Sequence, residues 1–153
     1  MTNKPIIGIT MGDPAGFGPE IAIKALLSAK VTAICRPIIV GDAATLDYTA
    51  DRLNCKVRIH PITIVAEAVF QPGIIDVLDM ETVDLDKLVR GEVSAMTEHV
   101  ALEAIRKVNE LAMAGEINAI VAEPGIASAD EMILAIEAAV KLIAGASPSP
   151  SAR

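Results

Sequence analysis

Glycine and carboxylate residues are concentrated in residues 10–20, which read Thr-Met-Gly-Asp-Pro-Ala-Gly-Phe-Gly-Pro-Glu. Glycine permits backbone conformations that other residues avoid, and it lets a ligand approach the main chain closely. The segment follows an aliphatic run at residues 5–9 and precedes a helical pattern at residues 21–27. That order predicts a strand, a tight turn and a helix whose N-terminus faces the carboxyl end of the strand. The glycines are equally consistent with a turn that is needed only for folding.

The two common nucleotide-binding motifs are absent from this loop. A Walker A loop ends in Gly-Lys-Ser or Gly-Lys-Thr, whereas this loop ends in Gly18-Pro19-Glu20. A Rossmann fingerprint requires a third glycine where Ile21 stands. Asp13 and Glu20 stabilise the start of the helix, but their negative charge competes with a bound phosphate. We expect Gly18 to cap the helix and Pro19 to occupy its first position.

Other residues that could support acid–base or metal chemistry form no recognisable motif. The sequence has two histidines: His60 precedes a proline at a strand end, and His99 lies inside the longest helical pattern. We favour a turn role for His60 and an ordinary helix position for His99. The acidic residues at positions 76–86 lack the spacing and the glycine of an EF-hand, so a solvated connection is favoured over a cation site. We therefore assign no catalytic residue and no metal ligand.

Composition restricts the class of protein. The chain has 153 residues, of which 52% are hydrophobic and only 2% aromatic, so its core must be aliphatic, as in a parallel sheet covered by helices. A net charge of −7 without a basic cluster argues against nucleic acid as a partner. No apolar run reaches the roughly 18 residues of a membrane span, and no signal pattern is visible, so we expect a cytoplasmic protein without a membrane partner. Cys35 and Cys55 are expected to be reduced and structural.

Strand and helix patterns alternate along the rest of the chain. Strands are predicted at residues 36–42, 56–60, 73–78 and 117–122, and helices at residues 43–53, 63–70, 92–114 and from 128 onward. Gly115 provides the expected stop of the long helix, and Ser128 with Glu131 forms a capping box on the last one. Residues 79–90 are predicted to be an irregular acidic connection, and residues 146–153 a disordered tail.

This alternation predicts an α/β fold, a three-layer α/β/α domain with a mostly parallel sheet. Residues 1–145 form one domain in this interpretation, because no repeat or linker interrupts them. Ligands of such folds gather at the carboxyl ends of the strands. The residues predicted at that edge are Gly12, Asp13, Gly41, Asp42, Asp76, Asp79, Glu123 and Pro124.

Residues 9–21 resemble the opening signature of the 4-hydroxythreonine-4-phosphate dehydrogenase family. Segments at residues 39–42, 72–76 and 111–121 follow in the order of that family, so the resemblance covers roughly residues 5–124. A shorter Gly-Asp-Gly-x-Gly-Pro-Glu loop opens the distantly similar isocitrate and isopropylmalate dehydrogenases. The resemblance therefore implies a first domain of the isocitrate/isopropylmalate dehydrogenase type.

The resemblance breaks after Pro124. The family continues with an Asn-Lys or His-Lys step and a Gly-His-Thr segment, whereas Gly125 opens a stretch similar to the family's C-terminal end. In the family the first domain is discontinuous, and its N-terminal half packs against the final helix. The resemblance thus implies an internal deletion that joins residues 1–124 to the closing helix at residues 125–145. Divergence from the family is the alternative.

The resemblance also implies a chemistry, namely NAD-dependent oxidation of a secondary alcohol in a phosphorylated amino acid, followed by decarboxylation of the keto acid. A divalent metal held by histidines would assist this reaction. It places Gly12, Asp13, Gly16 and Gly18 beside the NAD cofactor, on the one wall of the cleft that this chain retains. The metal and substrate residues belong mainly to the missing middle. We therefore expect a domain that is not catalytic by itself, binds NAD weakly or not at all, and self-associates through the surface left by the missing domain. A shortened but active NAD- and metal-dependent dehydrogenase is the alternative.

Overall fold

The structure is a computed structural model that describes residues 4–122 and 126–145. Its elements, in chain order, are β1 (Ile6–Thr10), α1 (Gly18–Leu26), α2 (Ala29–Ile34), β2 (Arg36–Gly41), α3 (Ala43–Arg52), β3 (Arg58–Ile62), a 3-10 turn (Val65–Glu67), β4 (Ile74–Asp79), α4 (Ala95–Met113), β5 (Ala119–Val121) and α5 (Ala129–Gly145). Glu123 and Pro124, predicted at the carboxyl edge, and the predicted tail at residues 146–153 lie outside the described residues.

The five strands form one sheet in the order β3-β4-β2-β1-β5, and every neighbouring pair is parallel. Ile9 of β1 lies beside Ile39 of β2 on one side and beside Val121 of β5 on the other. A parallel sheet needs helical crossovers that cover its faces, which explains the aliphatic strands. The predicted fold class is confirmed. No helix in the described part of the chain is both long and apolar enough to cross a membrane.

Helices cover both faces of the sheet and create two cores. On one face, α1 packs against α3 and α5, and α2 packs against α5. On the other face, α4 packs against β1, β2 and β5. Side chains of β2 alternate between these layers: Ile39 belongs to the core under α1 and α3, whereas Ile38 and Val40 pack with Val108 of α4. The molecule therefore has three layers, as the sequence predicts.

Side-chain caps fix the ends of the two long helices. The Ser128 hydroxyl accepts a hydrogen bond from the Glu131 N–H at 3.1 Å, so Ser128 caps α5 as predicted. The Glu131 carboxylate accepts the Ala127 N–H at 3.0 Å rather than the Ser128 N–H, so the second half of the predicted capping box is shifted by one residue. The long helix begins at Ala95 rather than at residue 92, because Ser94 and Thr97 cap each other there. Gly115 follows its C-terminus with a φ of 77°, as expected of a stop.

Several local predictions were wrong, and one element was not anticipated. The helix predicted at residues 63–70 is only a 3-10 turn at Val65–Glu67. The six-residue α2 was not anticipated; Ser28 caps it by accepting the Lys30 N–H at 3.3 Å. Pro61 does not end β3, because β3 is an edge strand that can spare one N–H. Asp76 does not lie at the carboxyl edge: β4 continues to Asp79, and the Asp76 side chain is buried within the sheet region near β3.

The Cys35 thiol makes the stability of this core sensitive to alkaline pH. Cys35 is buried at the end of α2, and burial raises the pKa of its thiol from 9.0 to about 11, against the opposing effect of the Lys4 charge. Because the unfolded chain releases this proton first, the free energy of unfolding should fall as pH rises from 9 towards 11, by up to about 3 kcal/mol.

We expect Cys35→Ala to remove this decrease relative to the parent chain, measured by urea unfolding at a series of alkaline pH values. Cys55→Ala is the matched control, since it removes the other free thiol, which is only half-buried. An unchanged alkaline slope in Cys35→Ala would contradict the assignment.

Candidate functional site

The glycine-rich loop leaves the carboxyl end of β1 as a tight, internally bonded turn. Gly12 has a φ of 79°, a conformation that residues with a side chain rarely adopt. The Asp13 carboxylate accepts the Ala15 N–H at 2.8 Å, and the Asp13 carbonyl accepts the Gly16 N–H at 3.0 Å. These bonds consume two of the amides that a phosphate would otherwise find in the loop.

The start of α1 is pressed against the end of β1. A Cβ at Gly18 would overlap the carbonyl oxygen of Met11, so only glycine fits. Phe17, rather than Gly18, is the residue before the helix, and it provides no side-chain cap. Pro19 therefore occupies the second helical position, where its missing N–H still costs nothing. The predicted cap was wrong by one residue because the Met11 contact draws Gly18 into the helix.

A cavity of about 320 Å³ opens beside this loop. Its walls come from the start of α1, from one side of α3 and from the connection that follows β4. Lining residues are Pro14, Gly16, Pro19, Glu20, Thr45, Tyr48, Thr49, Arg52, Leu85, Asp86, Leu88 and Arg90. The Gly91 N–H donates to the Ala15 carbonyl at 2.6 Å, which fixes the connection against the loop.

Two arginines converge on one carboxylate in this cavity. A guanidinium nitrogen of Arg52, on α3, lies 3.9 Å from one Glu20 carboxylate oxygen. A guanidinium nitrogen of Arg90, in the connection after β4, lies 4.0 Å from the same oxygen. The Arg90 guanidinium also lies 5.8 Å from the centre of the Phe17 ring. Such long, partly exposed ion pairs are weak and exchange readily for a stronger acceptor. The two cations are available to an anionic ligand that displaces Glu20.

The sheet changes its winding direction between β2 and β4, next to this cavity. β2 is followed by α3 on one face, whereas its neighbour β4 is followed by α4 on the other. Ligands of open α/β sheets bind at such a switch point. Here Asp42 accepts the Thr45 N–H at 2.9 Å and the Val83 N–H at 3.4 Å, and Asp79 accepts the Ala43 N–H at 3.0 Å. These hydrogen bonds within the chain occupy the switch point, and the cavity lies to one side of it, next to α3.

The structure brings only part of the predicted set together. Of the four residues predicted at the cofactor, Gly16 lines the cavity, Gly12 and Gly18 are buried beneath it, and Asp13 turns its carboxylate onto its own loop. Gly41, Asp42 and Asp79 lie at the carboxyl edge as predicted.

Arg52 and Arg90 are cavity residues that the sequence did not reveal. The one indication in the sequence was that Tyr48 and Arg52 are one helical turn apart and therefore share a face of α3. Thr45 and Thr49, which are buried, lie beside that face.

The two histidines do not line this cavity. The His60 Nδ1 lies 2.8 Å from an Asp76 carboxylate oxygen inside the fold, and His99 is an exposed residue of α4. Residues 4–122 and 126–145 contain no group of three His, Cys, Asp or Glu side chains that could hold a metal ion. The residues present there do not fit the metal that the family resemblance implies.

Comparison with known proteins gives consistent results. The family model of the pyridoxal phosphate biosynthetic protein PdxA matches residues 33–137. A protein of Clostridium botulinum described as a D-threonate 4-phosphate dehydrogenase is 41% identical over 124 residues, which are 81% of this chain and 37% of that protein. A relative of the same description from Symbiobacterium thermophilum is 37% identical over 124 residues. The chain thus spans little more than a third of the length of these curated relatives.

Solved structures agree with the sequence matches. A 4-hydroxythreonine-4-phosphate dehydrogenase from Burkholderia phymatum superposes with a TM-score of 0.76 at 34% identity, over 88% of this chain and 44% of that one. The enzyme of the same name from Klebsiella pneumoniae gives a TM-score of 0.72 at 34% identity, over 97% of this chain and 43% of that one.

Gly16 and Gly18 provide a matched pair for testing what the loop is for. Gly18→Ala should lower the free energy of unfolding by about 3 kcal/mol, because the new Cβ overlaps backbone that cannot move away. Gly16→Ala should stay within about 1 kcal/mol of the parent, since its Cβ would meet Asp13 at an ordinary 3.6 Å. Chemical unfolding followed by circular dichroism measures both. Equal stability of the two variants would contradict the packing described for Gly18.

Proposed function

Because this chain belongs to the family of the pyridoxal phosphate biosynthetic protein PdxA, we propose that it is the folded first domain of an NAD-dependent dehydrogenase of that family, isolated or internally deleted, and not catalytic by itself. The observation that carries the proposal is the glycine-rich loop at the carboxyl end of β1, folded beside a cavity with two arginines. In this proposal the loop and its cavity form one wall of a cofactor site, and the described residues include no metal-binding group.

Residues of the cavity are compatible with part of a dinucleotide. Its volume of about 320 Å³ lies at the small end of the range for ligand pockets, which is roughly 300–1,000 Å³. Gly16 and Pro19 form its floor, Tyr48 provides an aromatic ring, and Arg52 and Arg90 provide cations for phosphate. Gly12, Asp13 and Gly18 contribute by holding this floor in shape. When bound, NAD supplies the hydride acceptor of the family's reaction.

A cleft that has only one of its two walls should bind NAD weakly. A ligand pocket normally covers most of its ligand, and a single wall buries much less surface. Displacement of Glu20 from both arginines adds a further cost. We therefore expect a dissociation constant for NAD weaker than about 100 μM.

The position of α5 supports an internal junction near residues 124–125. The family model matches residues 33–137, which include the first half of α5, and a solved structure covers 97% of the chain. α5 packs on α1, α2 and β5, and it buries Met132 and Ile136 in the same core as Ile7 and Ile9. A helix that closes the first domain in this manner is what a junction of residues 1–124 with residues 125–145 requires.

The alternative is a shortened but active NAD- and metal-dependent dehydrogenase. The arginines at the cavity favour this alternative, because guanidinium groups are suited to binding a phosphorylated substrate. Against it stands the lack, within the described residues, of a metal-binding group and of a histidine near the cavity.

An activity assay beside a binding measurement separates these possibilities. The purified chain should produce no NADH from 4-hydroxythreonine 4-phosphate or D-threonate 4-phosphate with added zinc or magnesium, and calorimetry with NAD should give weak or undetectable heat. Arg90→Gln should abolish any residual NAD binding, whereas Arg106→Gln, which alters an exposed pair with Glu103 on α4, should not. Turnover that requires metal and stops on chelation would establish the alternative instead.

We also propose that the chain self-associates through α5, and that the partner is a second copy. Leu134 and Leu142 are 64% and 75% exposed, and Ala138 between them is also exposed, so they form an outward apolar stripe over two turns. The stripe is symmetric about Ala138, which suits antiparallel packing of two copies. In that arrangement Lys141 of each copy lies on the same side as Glu137 of the other.

Light scattering at increasing concentration tests this contact. Leu142→Lys should shift the chain towards the monomer, since it places a charge in the stripe. Leu102→Lys is the matched control, because Leu102 is similarly exposed but lies on α4, across the sheet. A monomeric mass for the parent chain at high concentration would refute the proposal.

A further inference from the structure

A second cavity lies at the amino-terminal edge of the sheet, away from the glycine-rich loop. Its volume is about 440 Å³, well within the range of small-molecule sites. It is formed where β1, β2 and β4 begin and where the segment before β4 folds back. Apolar side chains such as Leu26, Val69 and Ile74 form most of its wall, with Lys4 and Arg36 among the polar residues.

Among residues 4–122 and 126–145, both cations at this cavity are held in place without a carboxylate partner. The Lys4 ammonium donates to the Thr32 carbonyl at 2.8 Å, and the Arg36 Nε donates to the Lys4 carbonyl at 2.7 Å. In the part of the chain that the structure describes, neither cation forms an ion pair, and the two Nη atoms of Arg36 donate no hydrogen bond. Unpaired cations in partly buried positions are unexpected in a chain of net charge −7.

Phe70 is fixed under the Arg36 guanidinium at a conformational cost. Its ring centre lies 5.4 Å from the guanidinium carbon, and its φ of 49° is unusual for an aromatic residue. Asp76 holds this conformation, because its carboxylate accepts the Phe70 N–H at 2.9 Å and the Val69 N–H at 3.1 Å. Strain of this kind persists where the surroundings enforce it and often occurs at ligand sites.

Within the described residues, the Asp76 carboxylate forms no ion pair with either cation. It is 2% exposed, and its oxygens are already bonded to the Val69 and Phe70 amides and to His60. The cavity therefore combines an apolar wall, an aromatic ring, and an arginine whose Nη edge has the spacing of a carboxylate or phosphate.

We propose that this cavity binds a small organic anion, a carboxylate or phosphate on an apolar or aromatic body, with its charge on Arg36 and Lys4 and its body on Phe70. The site is separate from the loop cavity, and it does not depend on the function proposed for the loop. It requires no second domain, because every residue in the argument belongs to the described part of this chain.

Amide chemical shifts measured by NMR test the site with defined probes. Benzoate and phenyl phosphate should each shift the amides of Val69, Phe70 and Ile74 with a dissociation constant on the order of 1 mM, and the tighter of the two identifies the preferred anion. Benzamide, which has the body without the charge, and inorganic phosphate, which has the charge without the body, should bind at least about tenfold more weakly.

Variants of the two cations supply the decisive comparison. Arg36→Gln should weaken benzoate or phenyl phosphate at least about tenfold, and Arg36→Lys should restore only part of the loss, because it lacks the paired donors. Lys4→Gln provides a second, milder variant should Arg36→Gln fail to fold. Arg58→Gln, on the exposed edge strand β3, is the matched control and should bind like the parent.

Equal binding of benzamide and benzoate, an unaffected Arg36→Gln, or shifts confined to the carboxyl edge of the sheet would each overturn the proposal.

Discussion

The contact between Gly18 and the Met11 carbonyl is the constraint on which the carboxyl edge depends. It sets where α1 begins, and the φ of Gly12 and the Asp13 turn follow from the need to reach that point within a few residues. The loop is thus a folding element first. Its amides serve mostly its own turn, and the cavity that a ligand could use lies to the side, between α1 and α3.

Much of the fold could be predicted because its signals are local. Aliphatic runs marked the strands, and Ser128, Glu131 and Gly115 marked helix ends whose caps are made by residues close in sequence. The errors arose where distant groups decide the outcome. Pro61 is tolerated only because β3 takes an edge position, and Asp76 is drawn inside by His60 and by two amides of the preceding segment.

The candidate site was harder to predict for the same reason. A glycine-rich motif identifies a loop, but the charges beside it come from α3 and from the connection after β4. Arg52 and Arg90 are 38 residues apart in the sequence, and they lie together beside Glu20 only in the folded chain. The acidic connection that the sequence suggested was merely solvated also packs on the loop through the Gly91–Ala15 bond. It therefore forms a wall of the cavity.

The two ends of the sheet differ in how their charges are satisfied. At the carboxyl edge, Asp42 and Asp79 bind backbone amides, and the arginines share Glu20. At the amino edge, Asp76 binds two backbone amides and His60, and Arg36 forms no ion pair within the described residues. Between these two edges, α5 covers the face over β5 and completes the core around Ile7 and Ile9. Burial of that face is what the proposed one-domain chain requires in order to fold without the rest of a dehydrogenase.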